Sequence, residues 1–149
     1  SHLQKKFVQV LASIGQTIEQ GRQNAIKAIN TELVKANWEI GRHIVEYEQH
    51  REERAEYGSE LLTRLSRDLR QQYGKGFGRR NILDMRRFYL TYQKWQTVSA
   101  KLSWRHYITL IGVSDDTARK FYAEMLLTKT YLLESSTGKL ILHCLKGLH

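Results

Sequence analysis

Residues 59–92 read SELLTRLSRDLRQQYGKGFGRRNILDMRRFYLTY and contain two amphipathic patterns joined by the segment GKGFG at 74–78. On both sides of the glycines, apolar residues recur every three or four positions, which is typical of a helix with one buried face. These residues are Leu61, Leu62, Leu65, Leu69 and Tyr73, then Ile82, Met85, Phe88, Tyr89 and Tyr92. The stretch therefore predicts a helix, a glycine turn and a second helix, the order of a helix-turn-helix module.

The second helix of this pair carries arginines on the side opposite most of its apolar residues. When about 100° is allotted to each residue, Arg79, Arg80, Arg86 and Arg87 cluster, with Leu83 among them. In a helix-turn-helix protein the second helix enters the DNA major groove with its N-terminal residues nearest the bases. A solvated helix also carries charges of this kind, so the pattern alone leaves an ordinary solvent-exposed face equally open.

The charge of the chain is concentrated on this stretch and on the residues that follow it. The 149 residues carry a formal net charge of +9. Between Arg64 and Arg105 there are eleven basic and two acidic residues, which give +9, while the thirteen basic and thirteen acidic residues elsewhere cancel. A localised basic excess is the electrostatic footprint of a surface that binds phosphates. The position of the charge therefore favours nucleic acid as the partner.

The N-terminal third of the chain predicts long helices. The chain has no proline, and apolar residues recur at helical spacing from Leu3 to about Gln20 and again from near Arg22 to near Arg51. The second pattern predicts a helix roughly 45 Å long, more than one face of a small core can cover. We expect part of it to pack on another chain, as in a homodimer. The alternative is a break near Asn30 or Gly41 that folds the segment into a hairpin.

Capping residues set the boundaries of the remaining helices. Ser59 and Gly78 are predicted to cap the two helices of the central pair, although Gly78 lacks a side-chain oxygen. Ser103 is predicted to cap a helix that ends at Gly112. Ser114 is predicted to cap a further helix, whose first turn holds two carboxylates.

Together these patterns predict an all-α, multi-helix domain over residues 1–127, with a central helix-turn-helix-like pair and a long N-terminal helix. The remaining segment, 128–149, is short and mixed in character and is predicted to form a C-terminal tail. Within it, Tyr131–Leu133 and Lys139–Leu145 fit either a small hairpin or a frayed helix.

Motifs for catalysis or ligand binding do not emerge from the sequence. No Asp or Glu has Lys two positions later, as a PD-(D/E)xK nuclease site requires, so we expect this chain not to be an enzyme. The six histidines and the single cysteine, Cys144, lack paired metal-ligand spacing, so we expect no metal and no small-molecule cofactor. No apolar run reaches the roughly 20 residues of a membrane span, and no signal-peptide pattern is present. We therefore expect a cytoplasmic protein.

Two further features have both a structural and a functional interpretation. Trp38, Trp95 and Trp104 are expected to anchor the core rather than to stack on bases, with Trp95 the most open to the second role because Lys94 and Lys101 flank it. The GKGFG segment lacks the Gly-Lys-Ser/Thr ending of a phosphate-binding loop, so the turn itself explains its glycines.

Several short motifs, taken in their order, resemble the N-terminal domain of the YhcG-type family, bacterial proteins placed among the PD-(D/E)xK nucleases. The resemblance covers about residues 18–122. Its motifs are NTELV at 30–34, WEIG at 38–41, RAEYG at 54–58, LSRDL at 65–69, GKGF at 74–77, Asn81, MR at 85–86, FY at 88–89, LSW at 102–104, HY at 106–107 and ARKFY at 118–122. The resemblance implies an all-helical, helix-turn-helix-like module ahead of a nuclease domain, which binds DNA or dimerises.

Two positions depart from the family pattern. Family members usually have Ser where Gly78 stands, which weakens the predicted cap. After the pair Phe121-Tyr122 the family usually continues with a Trp-containing helix, an Arg-Glu-Leu motif and then the nuclease, whereas this chain leads into TGKLILHCLKGLH at 137–149.

The resulting hypothesis is a DNA-binding module that recognises phosphates through an arginine-bearing helix and forms a homodimer through its N-terminal helix. Arg79 and Arg80 are predicted to contact base edges or the first phosphates. The residues predicted to position the DNA backbone are Arg70, Lys75, Arg86 and Arg87. The alternative is a protein-interaction or dimerisation module in which the arginine face meets an acidic protein and no nucleic acid is bound.

Overall fold

The computed structural model describes residues 1–50 and 58–134, and this part of the chain consists of helices and connecting turns without a strand. Five α-helices follow one another in these two ranges. They are α1 (His2–Gln49), α2 (Gly58–Tyr73), α3 (Arg79–Thr91), α4 (Trp104–Ile111) and α5 (Asp116–Glu134), with single 3-10 turns at Lys75–Phe77 and Trp95–Thr97. The predicted all-α class and the predicted order of helix, glycine turn and helix are confirmed.

The two helices predicted for the N-terminal third form one continuous helix, α1, of 48 residues. The predicted division near residue 21 is wrong, and so is the alternative hairpin. Gly15 and Gly21 lie in open space, and a glycine inside a helix costs only about 1 kcal/mol relative to alanine, so neither ends the helix. Gly41 is buried and lets the backbone of α3 approach, rather than acting as a hinge.

Helix α3 lies at the centre of the fold and packs against α1, α2 and α4. Its Met85 and Phe88 are buried in the larger of the two core clusters that the described residues form, together with Trp38 from α1 and with Tyr107 and Leu110 from α4. Because apolar burial contributes about 25 cal/mol per Å² removed from water, these aromatic and aliphatic side chains supply much of the driving force for folding.

A smaller cluster joins the C-terminal part of α1 to the central pair. Ile44 of α1, Leu62 of α2 and Ile82 of α3 are buried together. Leu65, Leu69 and Phe77 pack against them from α2 and the turn. The amphipathic faces that predicted the central pair are thus the faces that pack.

Two of the three tryptophans anchor the core, as predicted. Trp38 is buried and its indole N–H donates to the backbone oxygen of Tyr92 at 2.7 Å. Trp104 is also buried and donates to Asn81 Oδ1 at 2.9 Å. Trp95 is half-buried and its ring packs against that of Trp38, with ring centroids 5.4 Å apart.

The observed helix caps match the caps predicted from the sequence only in part. Ser103 caps α4 through a capping box with His106, and α4 ends at Gly112 as predicted. Ser114 is not the cap of α5, because Asp115 Oδ2 accepts the backbone N–H of Ala118 at 2.8 Å. The described part of α2 starts at Gly58, one residue before the predicted cap Ser59, and the residues that precede it lie outside the described ranges.

Helix α5 continues to Glu134, so Tyr131–Leu133 are helical and not part of a hairpin. The second half of that alternative, Lys139–Leu145, lies outside the described residues. The proposed division of the chain at residue 127 stays a prediction. None of the helices within 1–50 and 58–134 has an apolar stretch long enough to cross a membrane.

The N-terminal part of α1 extends away from the core. Every residue from 1 to 22 is exposed, and the first buried residue of α1 is Val34. Apolar side chains with large exposed fractions occur along this part, Leu3 at 79% and Phe7 at 67% among them. Only the C-terminal third of α1 therefore packs against the other helices, which together form the body of the molecule.

Candidate nucleic-acid interface

The turn between α2 and α3 starts at a glycine whose conformation requires it. The Gly74 N–H donates to the backbone oxygen of Arg70 at 2.9 Å, which closes the last turn of α2. Gly74 then adopts a φ of 96°, a left-handed backbone angle that residues with a Cβ rarely adopt. The 3-10 turn Lys75–Phe77 follows and brings the chain to the start of α3.

Side chains from three helices hold this turn in place. Ser66 of α2 donates to the Phe77 backbone oxygen at 3.0 Å. Asn81 of α3 donates to the Gly76 backbone oxygen at 2.6 Å and accepts the indole N–H of Trp104 from α4. These hydrogen bonds fix the position of the first turn of α3 relative to α2 and α4, which sequence reasoning did not anticipate.

The first turn of α3 is positively charged and has no side-chain cap. Gly78 occupies the N-cap position, as predicted, without a side-chain hydrogen bond. The first N–H groups of a helix lack intrahelical partners and carry the positive end of the helix dipole. Arg79 and Arg80, both exposed, place two guanidinium groups at the same end of the helix. The start of α3 can therefore accept an anion from both the backbone and the side chains.

The solvent-facing strip of α3 carries three of its four arginines. Arg79, Arg80 and Arg87 are exposed, and Leu83 and Leu90 lie on the same side of the helix. The remaining surface of α3 is taken up by α1, α2 and α4. Any ligand that reads α3 must approach along this strip.

Arg86 is drawn away from the strip by α1. Its Nε lies 2.8 Å from Glu48 Oε1, and its second guanidinium contact, from Nη2 to Glu48 Oε2, measures 2.9 Å. Both side chains are partly buried. Two parallel bonds of this kind are strong and directional. The predicted phosphate contact of Arg86 stays a prediction, but its guanidinium is already engaged by a carboxylate.

A buried carboxylate lies beneath two of the exposed arginines. Asp84 is 4% exposed, and its Oδ1 is 3.7 Å from Arg80 Nε. Burial raises the pKa of the Asp84 carboxyl above its ordinary value, while the charges of Arg80 and Arg87 act in the opposite direction. Arg80 is thus paired with a buried carboxylate, on which the charge of Arg87 also acts.

One face of α2 carries further arginines beside the first turn of α3. Thr63, Arg67 and Arg70 are spaced four and three residues apart and share one side of the helix. Arg79 Nε donates to Thr63 Oγ1 at 3.2 Å, so this side lies next to the first turn of α3. Arg67 and Arg70 are both exposed. Arg67 was counted in the basic excess but not assigned to the site, although its spacing from Arg70 could have indicated it.

The structure thus brings together most of the residues predicted to bind DNA. Lys75 is exposed in the turn between the α2 face and the start of α3. The exposed members of the predicted set are Arg70, Lys75, Arg79, Arg80 and Arg87, and we define these five together with Arg67 as the basic surface. Within the described residues, no group of three His, Cys, Asp or Glu side chains is arranged to hold a metal ion.

The chain is similar to proteins of one known family. The model of the DUF1016 N-terminal domain matches residues 13–137. The chain is also 33% identical, over 138 residues, to the protein named "Putative nuclease YhcG" from Escherichia coli (strain K12). That match covers 88% of this chain and 35% of the relative, so the chain spans about a third of the relative's length. No solved structure matches the chain.

Proposed function

The chain belongs to the DUF1016 N-terminal domain family, and we propose that it binds DNA through phosphate contacts made by the basic surface. The observation that carries the proposal is the uncapped first turn of α3, where Arg79 and Arg80 flank backbone N–H groups beside the α2 arginines. Helix N-termini and clustered guanidinium groups are the two features that proteins use most often to hold phosphate oxygens.

The residues of the basic surface have distinct roles in this proposal. Arg79 and Arg80 contact base edges or the nearest phosphates, since N-terminal residues of a recognition helix lie deepest in the major groove. Arg67, Arg70 and Lys75 contact the backbone of one strand, and Arg87 contacts it farther along α3. Phosphate contacts of this kind position the protein and supply most of the affinity without reading sequence.

The relative's name suggests what such binding serves. The Escherichia coli relative is named as a nuclease, and this chain aligns with about a third of its length. We propose that the domain holds a nuclease activity on DNA in the longer proteins of the family. DNA binding also implies a compartment that contains DNA, which in a bacterium is the cytoplasm.

The test is a salt titration of DNA binding in which fluorescence anisotropy measures the affinity for short duplex and single-stranded DNA. Binding by the basic surface requires the logarithm of affinity to fall linearly with the logarithm of salt concentration, with a slope of about −0.9 per duplex phosphate neutralised. We expect the double substitution Arg79→Ala and Arg80→Ala to weaken binding and to reduce the magnitude of that slope by about 2.

Two control proteins separate a specific surface from net charge. The double substitution Lys120→Ala and Lys129→Ala removes the same charge from exposed positions of α5 and should leave the slope unchanged. Arg86→Ala should mainly lower the stability of the fold, because it leaves the half-buried Glu48 without its partner. Its effect on the salt slope should be small. A wild-type chain that fails to bind either DNA at about 50 mM salt would reject the proposal in favour of a protein partner.

A further inference from the structure

The N-terminal arm of α1, defined here as residues 2–33, carries an apolar stripe that is exposed in the described structure. Its larger side chains are 47–79% exposed and are Leu3, Phe7, Leu11, Ile14, Ile18, Ile29 and Leu33. Between Ile18 and Ile29 the same side of the helix carries the small residues Gly21 and Ala25 beside Arg22. An exposed apolar stripe of this length is uncommon on a monomeric soluble protein and marks an interaction site.

The stripe repeats every 11 residues and therefore stays on one side of the helix. Eleven residues make three turns at 3.67 residues per turn, close to the 3.6 of a straight helix. One row of the repeat is Leu3, Ile14, Ala25, Ala36 and Tyr47, and the next is Phe7, Ile18, Ile29 and Ile40. The stripe of the arm is thus continuous with Ile40 and Tyr47 in the C-terminal part of α1.

At that C-terminal end the stripe opens into an apolar groove between α1 and α2. The groove has a volume of about 760 Å³. Its walls are formed by Ile40, Ile44 and Tyr47 of α1 and by residues of α2, Leu61, Leu65 and Leu69 among them. One side of the molecule therefore presents a slender apolar arm that leads directly into an apolar groove.

We propose that two copies of the chain pair through antiparallel α1 helices, each inserting the start of its arm into the groove of the other. In this arrangement Leu3 and Phe7 of one protomer lie near Tyr47 and Ile44 of its partner. A two-fold axis passes near Ala25, because a symmetric interface requires residue i to meet residue j and j to meet i. The dimer is independent of DNA binding and does not require the function proposed above.

The position of α2 selects the antiparallel arrangement. Because α2 lines the groove beside Ile40 and Ile44, the body of the molecule lies against the stripe at its C-terminal end. A parallel pair would bring two bodies to the same level of the stripe, where they would collide. An antiparallel pair instead places each body against the slender arm of the other protomer, about 45 Å long.

The area available matches what a stable dimer needs. The exposed apolar side chains of the stripe, together with the groove, offer an area on the order of the roughly 800 Å² per partner found in standard interfaces. Small residues, Gly21 and Ala25, lie near the proposed two-fold axis, where two helices can approach closely. A second copy of the chain thus supplies both an apolar helix of the right length and a groove for the opposite end.

The first experiment measures the oligomeric state of the full chain by sedimentation equilibrium. We expect a dimer, and we expect the double substitution Ile14→Glu and Ile18→Glu to raise the dimer dissociation constant at least about 100-fold, since carboxylates would be buried in the interface. The matched control, Gln9→Glu with Gln16→Glu, adds the same charge on the opposite face of the arm and should remain dimeric.

Two milder variants keep the test independent of folding. Phe7→Ala with Leu11→Ala retains helix propensity and touches no part of the body, so it should weaken the dimer without changing the fluorescence of the core tryptophans. Tyr47→Ala lies far along α1 from the start of the arm and should also weaken the dimer, because the groove receives the partner. A monomeric wild-type chain, or a dimer insensitive to these substitutions, would overturn the proposal.

The second experiment determines the direction of the two helices. A spin label is attached through Gln9→Cys in a chain that also carries Cys144→Ser, and the distance between the two labels of a dimer is measured by pulsed electron paramagnetic resonance. The antiparallel pair predicts a label-to-label distance of about 50 Å, because position 9 of one protomer and position 9 of its partner lie about 32 residues apart along the helix axis. A distance of about 20 Å, as expected for a parallel pair, would contradict the arrangement.

Discussion

Gly41 is the residue of α1 against which the backbone of α3 packs. A Cβ at this position would collide with the backbone oxygen of Met85 and lie 3.0 Å from the Cβ of Tyr89. Because the colliding atom belongs to the backbone of a buried helix, it cannot rotate away as the end of a side chain would. The contact between α1 and α3 therefore depends on glycine at this position.

We expect Gly41→Ala to destabilise the protein by about 1–3 kcal/mol, the usual cost of overpacking a core. Thermal unfolding followed by circular dichroism would show this as a lower melting temperature. Gly15→Ala in the same helix is the matched control, since a Cβ added at Gly15 would meet no neighbouring group within 4 Å beyond its own helical turn. The control should be neutral or stabilising by up to about 1 kcal/mol. Equal melting temperatures for the two variants would refute the packing argument.

Asp84 gives stability a specific dependence on pH. Its carboxyl has a raised pKa in the folded chain because of burial, so folding favours the protonated form. The contribution of Asp84 to stability is therefore fully present below the ordinary aspartate pKa of about 3.9, and it declines as pH rises through the raised pKa.

Asp84→Asn removes this titration and should change the pH profile of unfolding. The melting temperature of the variant minus that of the wild type should increase as pH rises from about 4 through the titration of Asp84. Lost or gained hydrogen bonds would shift this difference by a constant, so its slope is the informative quantity. A difference that stays flat across the range would show that burial does not control the ionisation of Asp84.

The turn between α2 and α3 sets the geometry of the basic surface at the scale of secondary structure. Gly74 holds the left-handed conformation, whereas Gly76 does not, and both have open space around them. Replacement of Gly74 therefore tests backbone conformation without creating a collision.

We expect Gly74→Ala to cost about 1–3 kcal/mol, because its φ of 96° and ψ of −158° lie in a region that residues with a Cβ rarely occupy. Gly76→Ala should have a much smaller effect, since its φ is not positive. Urea unfolding of both variants would measure the difference. If the two variants lose equal stability, the left-handed conformation of Gly74 is not what the turn requires.

At the scale of the whole molecule, the proposed dimer carries two copies of the basic surface. When both surfaces reach one DNA molecule, the second contact becomes intramolecular and affinity rises without any new contact. The dimer forms through residues that do not contact DNA, but it raises the affinity for DNA because two basic surfaces can bind one molecule.

This combination predicts how DNA length affects binding. The wild-type chain should bind a long duplex more tightly than the variant with Ile14→Glu and Ile18→Glu, by about tenfold or more. Both proteins should bind alike to a duplex too short for two surfaces. The measurement is fluorescence anisotropy at fixed salt with duplexes of increasing length. Equal affinity of the two proteins for every length would show that the two surfaces do not act together.

Helices α2 to α5, the glycine turn and the basic stretch were predictable from the sequence because each depends on neighbours within a few positions, whereas the continuity of α1 past Gly21 was not predicted. Periodic apolar residues in 59–92 predicted α2 and α3, and Ser103 marked the start of α4. The charge count located the basic excess before any contact was known. Periodicity, caps and glycines act through local backbone geometry, so the linear order of residues contains the required information.

Other features were decided by tertiary structure because they depend on which helix a side chain meets. Arg86 and Arg87 are adjacent and equivalent in the sequence, yet α1 places Glu48 within reach of Arg86 alone, and Arg87 stays exposed. Gly41 resembled a possible helix break until the position of α3 showed it to be a packing contact. The sequence by itself determined helices α2 to α5 and the basic stretch between Arg64 and Arg105, whereas packing determined which of those charges face solvent.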